Sequence, residues 1–430
     1  MRPLITWLFL VFAVVGFEKS NANQKLEPER IKDLSSRIHR TEYFADFPFW
    51  ESPLQPAQFS SPITAQEAQS RIHLQVGYDR FNRVIDIQAK QGSRYKTLGN
   101  FFQSLYIHTV HTQIEYRQDK TIQRFYNRFG NRVTAWGNVW EKTYHKDDKG
   151  RYVRMDFTDS SGMPIENSWG ILFYQWQYLM DGSVIESRFS QSGELKKHRP
   201  GFEFERIRLV YASDGTLRIM ENVDEQLNPI ASKSGAAAYH YFYDSYGRFE
   251  RWEVYNAEGK PAIGPTNTAG EYYTYKTNQS GRITFFNQTG GPAIHHSGAV
   301  HWLMSYDQYG NIASLKFFDE NNKPINGKFN HATIEYVWDS SGYHLLYKNY
   351  YDSEGKLTTH LDGFSKVQYV YNDKGLLDET RFLDADGKLV TNAYQKAAVI
   401  KNQYDQNFAL LGSVKLGVDR KPLVDEILGN

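Results

Sequence analysis

The sequence predicts an all-β protein of tandem β-hairpin repeats, each about 32 residues long. Glycine-containing turns recur at a nearly constant spacing, prolines follow in the same phase, and aromatic residues make up 15% of the chain. A fixed period indicates structural units that stack on their neighbours, and aromatic residues favour pleated strands. About nine units imply about 18 strands, and an open sheet of that width twists. We therefore expect a curled or solenoid-like antiparallel sheet.

Two turns mark each repeat. First-turn glycines lie at 150, 182, 215, 247, 281, 310, 342 and 375, in steps of 29 to 34 residues, and a second turn follows about 12 residues later. The Asp or Asn that opens a turn accepts main-chain hydrogen bonds, and the closing glycine supplies a positive φ. The predicted structural turn glycines are Gly162, Gly215, Gly247, Gly259, Gly310, Gly342, Gly355, Gly375 and Gly387.

Two further marks keep the same phase. Proline lacks an N–H, so the prolines after the second turn should mark a strand start or a sheet edge. They are Pro164, Pro229, Pro261, Pro292, Pro324 and Pro422. A third set of glycines, between small or aromatic residues, comprises Gly137, Gly170, Gly201, Gly235, Gly270, Gly298 and Gly363.

The strand segments carry apolar or aromatic residues on both faces. In residues 238–243 and 333–338, aromatic or apolar residues occur at both odd and even positions. Successive side chains of a strand point to opposite faces. This pattern predicts that the sheet is covered on both sides.

The N-terminus has the layout of a secretory signal peptide. Arg2 precedes an apolar run of 14 residues, Leu4 to Phe17, and Ser20 and Ala22 supply the small residues before a cleavage site. We expect cleavage after Ala22 and an exported mature protein, in the periplasm, at the cell surface or outside the cell. After that cleavage the sequence predicts no membrane-spanning helix.

The remaining chain divides into four parts. Residues 23–69 are predicted to form a short helix and an extended arm, because Ile31, Leu34 and Ile38 have helical spacing within residues 27–42. Residues 70–128 are interpreted as degenerate repeats or a cap, 129–422 as the repeat domain, and 423–430 as a C-terminal tail. The chain has no cysteine, so disulfides cannot stabilise the fold.

The Tyr-Asp-x-x-Gly turns, such as Tyr243 to Gly247 and Tyr306 to Gly310, resemble the YD repeats of Rhs-type bacterial surface and toxin-shell proteins. The turn at Gly259-Lys260-Pro261 is similar to bacterial variants of the MORN repeat. The likeness covers roughly residues 120 to 422. The period is longer than in either family, and the C-terminal toxin of Rhs chains is absent. The resemblance implies a secreted β-repeat scaffold for binding or encapsulation, and it assigns no catalytic residue.

Tryptophans are the strongest candidates for a binding site. Outward-facing rings can stack on sugars or hold an apolar peptide. The alternative is that most of these rings pack between neighbouring repeats. The candidate binding aromatics are Trp136, Trp140, Trp169, Trp176, Trp252, Trp302 and Trp338.

Other chemistry-bearing residues are explained by turns. Adjacent histidines on a strand point to opposite faces, so His295 and His296 could share a metal with His301 only from a turn. The acidic pairs Asp147-Asp148 and Asp384/Asp386 lack the distal glutamate of a calcium loop. We predict no metal, no cofactor and no catalytic residue.

The sequence favours an exported, non-enzymatic repeat scaffold that binds a protein or glycan of the cell envelope. One alternative is a carbohydrate-active enzyme, which needs carboxylates on one face of adjacent repeats. Another is a shell or partner for a separately encoded toxin. The chain has 50 basic and 49 acidic residues, and this balance argues against a nucleic-acid partner. The oligomeric state cannot be derived from these patterns.

Overall fold

The structure is a computed structural model that describes residues 30–46, 51–96, 107, 109–135, 137–198, 202–245, 247–277 and 280–423. The expected signal peptide at 1–22, Gly201 and residues 424–430 of the expected tail lie outside the described residues. The described chain is almost entirely β. No helix within it is long and apolar enough to cross a membrane.

The described chain contains 25 strands, a 3-10 helix at Ser35–Arg37 and a four-residue α-helix, α1, at Ala65–Ala68. The strands are β1 (Arg40–Asp46), β2 (Ser60–Ile63), β3 (Ile72–Tyr78), β4 (Val84–Gln91), β5 (Arg94–Tyr95), β6 (His111–Tyr116), β7 (Lys120–Tyr126), β8 (Glu141–Lys146), β9 (Tyr152–Thr158), β10 (Phe173–Tyr178), β11 (Val184–Phe189), β12 (Arg206–Tyr211), β13 (Leu217–Asn222), β14 (Ala238–Tyr243), β15 (Phe249–Tyr255), β16 (Gly270–Thr277), β17 (Ser280–Phe286), β18 (His301–Tyr306), β19 (Ile312–Phe318), β20 (Thr333–Trp338), β21 (Leu345–Tyr351), β22 (Lys366–Tyr371), β23 (Leu377–Leu383), β24 (Val399–Tyr404) and β25 (Leu410–Leu416).

All 25 strands belong to one antiparallel sheet in which each hairpin pairs with the next. From β8 to β25 there are nine hairpins. Their first strands begin at 141, 173, 206, 238, 270, 301, 333, 366 and 399, in steps of 31 to 33 residues. The predicted all-β repeat fold and its period are confirmed.

The turns use the chemistry that their sequences indicate. In the turn between β18 and β19, Asp307 Oδ1 accepts hydrogen bonds from the main-chain N–H groups of Tyr309 (2.9 Å) and Asn311 (2.8 Å). Gly310 closes this turn with φ of 81°. All nine glycines predicted for structural turns have φ between 65° and 85°, a region that L side chains rarely adopt.

Two of the glycine marks are not turn residues. Gly281 lies inside β17, and Gly270 begins β16. In the loop before β16 the left-handed position belongs to Asn267, with φ of 65°. Asparagine tolerates this conformation better than most residues, so a glycine-based pattern misses it.

The predicted N-terminal helix is wrong in extent. Within residues 30–42, the described part of the predicted helix, only Ser35–Arg37 form a helical turn, and the chain enters β1 at Arg40. β1 pairs with both β2 and β3, so main-chain pairing along β3 outweighs the local helical pattern. Ile38 still packs inward, because its side chain lies over Gly77 of β3.

The N-terminal arm lies against the repeat domain. Tyr178 donates a hydrogen bond to the carbonyl of Pro53 (2.8 Å), and Gln58 donates to that of Gly215 (3.0 Å). The arm therefore spans from β10 to the turn between β12 and β13.

The sheet curls so that its beginning contacts hairpin tips near its end. The Ile72 N–H donates to the carbonyl of Tyr309 (2.8 Å), and Asn127 Nδ2 donates to that of Asn407 (2.8 Å). The rings of Phe129 and Phe408 lie 4.4 Å apart. These contacts join residues separated by more than 200 positions, and they confirm the expected curled sheet.

Buried apolar side chains form four clusters that follow the chain. They draw on residues 57–114, 107–262, 283–317 and 350–382. Each cluster joins neighbouring hairpins, as expected for an array whose units stabilise one another.

The turn glycines offer a test of this coupling. Gly310→Val and Gly387→Val place the same side chain at φ of 81° and 85°, and the strain costs about 1–3 kcal/mol at either site. A side chain at Gly310 would also contact Arg71, since a Cβ added there lies 3.5 Å from the guanidinium, whereas the space around Gly387 is open. We expect Gly310→Val to lower the free energy of unfolding more, as measured in urea. Equal losses of unfolding free energy would show that neither the contacts across the curled sheet nor those between neighbouring hairpins add to the cost at Gly310.

Candidate functional site

The two faces of the sheet differ in burial and composition. In β14, Tyr239 and Tyr241 belong to the large apolar cluster, whereas His240 and Phe242 alternate with them and are partly exposed. We call the side with Tyr239 and Tyr241 the core face and the opposite side the solvent face. The candidate tryptophans can be assigned with this division.

Three candidate tryptophans take part in core-face contacts. Trp252 meets Tyr239 edge to face, with ring centroids 5.4 Å apart. Trp302 donates a hydrogen bond through Nε1 to Ser297 Oγ (3.2 Å). The Trp338 ring lies 4.5 Å from Lys96 Nζ. Each ring is partly buried, and Trp338 also donates through Nε1 to the Ile312 carbonyl of the preceding hairpin (2.8 Å).

The other tryptophans do not extend these three into a common groove. Trp176 is only 2% exposed and lies in the core, Trp169 packs against the same cluster, and the Trp140 ring lies 4.7 Å from the Arg132 guanidinium. Trp136 lies outside the described residues. Whether any of these tryptophans binds a ligand stays a prediction.

The solvent face carries a group of aromatic and charged side chains that the sequence analysis did not single out. On β14 and β15, the Arg251 guanidinium lies 4.0 Å from the centre of the Phe242 ring and donates through Nε to Glu253 (2.7 Å). Tyr255 donates to the other oxygen of Glu253 (2.5 Å) and stacks near His240, with ring centroids 4.2 Å apart. We call these five residues the solvent-face cluster.

The electrostatics of the cluster follow from its contacts. The hydrogen bond to Glu253, together with burial, raises the pKa of Tyr255 to about 12. Burial lowers the pKa of His240, so its ring is favoured in the neutral form. At neutral pH the cluster therefore presents neutral rings beside one compensated ion pair.

Tyr272 extends the cluster onto the next hairpin. It lies opposite Arg251 in the β15–β16 ladder, is exposed, and donates to Glu250 at 3.2 Å. Alternation of residues could have indicated this face, but it could not show which rings and charges meet across strands.

Related groupings occur on other hairpins. The Arg154 guanidinium lies 3.7 Å from the Phe173 ring and donates to Asp156 (2.7 Å). Farther along, Glu335 accepts hydrogen bonds from Asn349 (3.0 Å) and Tyr351 (2.8 Å). Aromatic rings beside planar hydrogen-bonding groups thus recur along the solvent face.

A buried ion pair connects the arm to the core. Lys142 Nζ contacts both carboxylate oxygens of Glu51, at 2.8 and 2.9 Å, and Tyr144 donates to the same carboxylate (2.9 Å). The Ile107 N–H is a further donor to Glu51 (2.9 Å). Burial lowers the pKa of Lys142, and the Glu51 charge opposes that shift.

A second buried charge group lies deeper along the same face. Glu186 accepts a hydrogen bond from Trp176 Nε1 (2.8 Å) and lies 3.3 Å from both Arg188 and His198. Burial opposes ionisation, but the His198 hydrogen bond and the Arg188 charge keep the pKa of Glu186 below its usual value. Its polar contacts are intramolecular and hold β10, β11 and the following loop together.

Histidines line a column of loops in the C-terminal half. His295 and His296 lie in a turn, with rings 4.0 Å apart, and His331 and His360 stack at 5.4 Å. Burial lowers the pKa of His295 to about 3 and that of His331 to about 4. His301 belongs to a different strand and stacks on Phe318 instead.

The described residues contain no group of three or more His, Asp or Glu side chains in a metal-binding arrangement. One small cleft, of about 170 Å³, lies beside Arg282, His301 and Glu320 on the solvent face. Arg282 donates to Thr284 and Asn322 next to this cleft.

No family model matches the chain, and no curated protein matches it. Among solved structures, a chain of a TcdB2-TccC3-Cdc42 complex is similar to this protein at 10% sequence identity and a TM-score of 0.26. The match covers 80% of this chain and 19% of the chain in the complex. A porin-like protein from Bacteroides uniformis matches 69% of this chain and 89% of its own, at 9% identity and a TM-score of 0.25.

A Photorhabdus luminescens Tc holotoxin pore matches 82% of this chain and 21% of its own, at 12% identity and a TM-score of 0.20. The chain thus spans about a fifth of the Tc chains that it matches. At these TM-scores the likenesses carry no inference about this protein.

The buried ion pair makes a stability prediction. Glu51→Ala leaves the Lys142 ammonium buried without its carboxylate, which should cost about 3–5 kcal/mol of unfolding free energy. The double variant Glu51→Leu/Lys142→Met removes both charges and should lose less. Urea denaturation measures both, with the exposed pair Glu354/Lys356 replaced by alanine as a control that should change little. A double variant less stable than Glu51→Ala would contradict this account.

The histidine column predicts a pH dependence. His295 and His331 have lowered pKa values in the fold, so their contribution to stability is present above the unfolded pKa of about 6.5. As the pH falls from there towards 3–4, the unfolded chain binds more protons and stability decreases. Urea denaturation between pH 7 and 4.5 should show a shallower decrease for His331→Gln than for the parent. Parallel curves would mean that folding does not lower the pKa of His331.

Proposed function

We propose that this protein is an exported, non-enzymatic repeat scaffold that binds a protein or glycan of the cell envelope through its solvent face. The observation that supports this most is the solvent-face cluster, in which Phe242 and Tyr255 lie beside the hydrogen-bonded pair Arg251–Glu253.

The chemistry of the cluster suits such a ligand. Aromatic rings pack against the apolar faces of sugars and against side chains, while arginine and carboxylate groups form directional hydrogen bonds with hydroxyls and peptide groups. Because Arg251 and Glu253 are already held by their neighbours, little side-chain entropy is lost on binding.

Repetition supports an extended ligand. The Arg154–Phe173 and Glu335–Tyr351 groupings lie on hairpins before and after the cluster. Several weak contacts along one polymer bind more strongly than any single contact, because later contacts form within the same complex.

A carbohydrate-active enzyme is the second candidate, and Glu271 favours it. This carboxyl group lies on the core face beside Tyr273, which donates to it at 2.9 Å. Burial raises its pKa, as a general acid requires. A raised pKa also arises in carboxyl groups without a catalytic role, so the scaffold is our first proposal.

Binding assays with envelope glycans and peptides, run together with assays for released product, test the proposal. In the triple variant Arg251→Ala/Tyr255→Ala/Tyr272→Ala we expect affinity to fall about tenfold or more, because aromatic and arginine contacts dominate such interfaces. The control Glu354→Ala/Lys356→Ala changes an exposed ion pair elsewhere and should keep its affinity. Unfolding in urea checks that both variants are folded.

Two results would contradict the scaffold. If a ligand is found and the triple variant binds it as well as the parent does, the solvent-face cluster is not the site. If product is released and Glu271→Gln abolishes release without weakening binding, the protein is an enzyme.

A further inference from the structure

The second strand of the last hairpin, β25, has an edge that no further hairpin of the described chain covers, whereas in each earlier hairpin the next hairpin covers the equivalent edge. In ten ladders, from β4–β6 to β23–β24, the second strand of one hairpin pairs with the first strand of the next. Within the described residues β24 is the one strand that pairs with β25. At the end of β25, Leu416 also bridges to Pro422 and the Leu423 N–H donates to the Lys415 carbonyl (3.0 Å), as Leu389 and Val390 contact β23 beside its pairing with β24. Leu377 and Leu410 occupy equivalent positions, opposite Tyr371 and Tyr404. β25 therefore has the geometry of one half of a further ladder.

This equivalence shows which residues of β25 direct their main-chain N–H and C=O groups toward the open edge. In β23 the Phe382 N–H donates to the carbonyl of Ala398 (2.9 Å), so alternate residues such as Thr380 also direct their main-chain groups toward β24. Ser413 occupies the position of Thr380, 33 residues later. Its N–H and carbonyl are thus directed toward the open side of β25.

The last three strands that cover an earlier edge, β20, β22 and β24, have a recurring chemistry. Each ends in an aromatic residue whose side chain donates a hydrogen bond to the main-chain carbonyl at the start of the preceding strand. Trp338 donates through Nε1 to Ile312 (2.8 Å). Tyr371 donates in this way to Leu345 (3.0 Å), and Tyr404 donates to Leu377 (2.8 Å). The equivalent acceptor on β25 is the carbonyl of Leu410.

The two ends of the sheet differ in how well they are protected against pairing with a further strand. β2, at the N-terminal end, is four residues long and contains Pro62, two features that disfavour pairing with a further strand. β25 is seven residues long and contains no proline. Leu410 and Leu411 on this strand are 50% and 62% exposed. An apolar edge of this kind is a template for strand addition.

We propose that the β25 edge is a docking site for an extended segment of another polypeptide. The segment adds as an antiparallel strand, about six residues long, like the strands that cover the earlier edges. A tyrosine or tryptophan at its end donates to the Leu410 carbonyl. The site is separate from the solvent-face cluster, so its failure would leave that proposal intact.

The probe is a synthetic peptide with the sequence of residues 397–405, which includes β24. Two methylated forms provide matched controls. Methylation of the Ile400 main-chain nitrogen blocks the side that faces the preceding strand, because Ile400 pairs with Thr380. Methylation of the Lys401 nitrogen blocks the opposite side. Fluorescence anisotropy with the full chain measures the affinity of each peptide.

We expect saturable binding of the parent peptide and of the form methylated at Lys401. The form methylated at Ile400 should bind about tenfold more weakly or worse, because an interstrand hydrogen bond is lost and its acceptor is left without a partner. Replacing the tyrosine equivalent to Tyr404 by phenylalanine should also weaken binding.

Ser413→Pro tests the protein side. It removes an N–H that does not belong to the β24–β25 ladder, and proline is tolerated at such edge positions. Ser413→Pro also loses the side-chain hydrogen bond from Ser413 Oγ to Asn402 (2.7 Å), so Ser413→Ala, which loses only that bond, is the matched control. We expect Ser413→Pro to have about the same melting temperature as this control and to bind the peptide about tenfold more weakly. Should this variant unfold, the two methylated peptides still decide the question.

Three results would overturn the proposal. These are no saturable binding of the parent peptide, equal binding of the two methylated peptides, and self-association of the chain that Ser413→Pro abolishes while the peptide does not bind. The last result would assign the edge to a second copy of this chain.

Discussion

Most of the described hairpins in this sheet depend on a turn whose opening Asp or Asn accepts main-chain hydrogen bonds and whose closing residue has a positive φ. The Asp307–Gly310 turn shows both features. Such a turn sets the register of its two strands, and the register decides which side chains face the core. Because the second strand of each hairpin then pairs with the next hairpin, one local conformation is propagated through the array. The four apolar clusters and both faces of the sheet depend on this repetition.

The same constraint explains where charge is buried and where it is presented. Residues that face the core must find partners inside the protein, as Glu51 and Lys142 do, because an unpaired buried charge is costly. Residues on the opposite face keep partial contact with water, so Arg251 and Glu253 can remain paired and still meet a ligand. The aromatic residues are divided in the same way: Tyr239 and Trp252 pack together on the core face, while Phe242 and Tyr255 lie on the solvent face.

The candidate site was less predictable than the fold. Tryptophan content indicated possible binding residues, but Trp252, Trp302 and Trp338 pack against partners on the core face. The solvent-face cluster joins residues from two strands, β14 and β15. Tyr272, which lies opposite Arg251, comes from a third strand, β16. Sequence alternation assigns residues to faces only once the register is known, so the cluster could be recognised only from paired strands.

By itself, the sequence determined the repeat period, the hairpins and the turn positions, because Asx–Gly turns and alternating aromatic strands are encoded within a few residues. It predicted a short helix within residues 27–42, whereas the chain forms one helical turn at Ser35–Arg37 and enters β1 at Arg40, since local spacing carries no record of the open edge of β3. Only the tertiary structure decided the curl that brings Asn127 to Asn407 and the burial of Glu51 beside Lys142. Such contacts depend on small twists summed over many strands, and no local pattern encodes that sum.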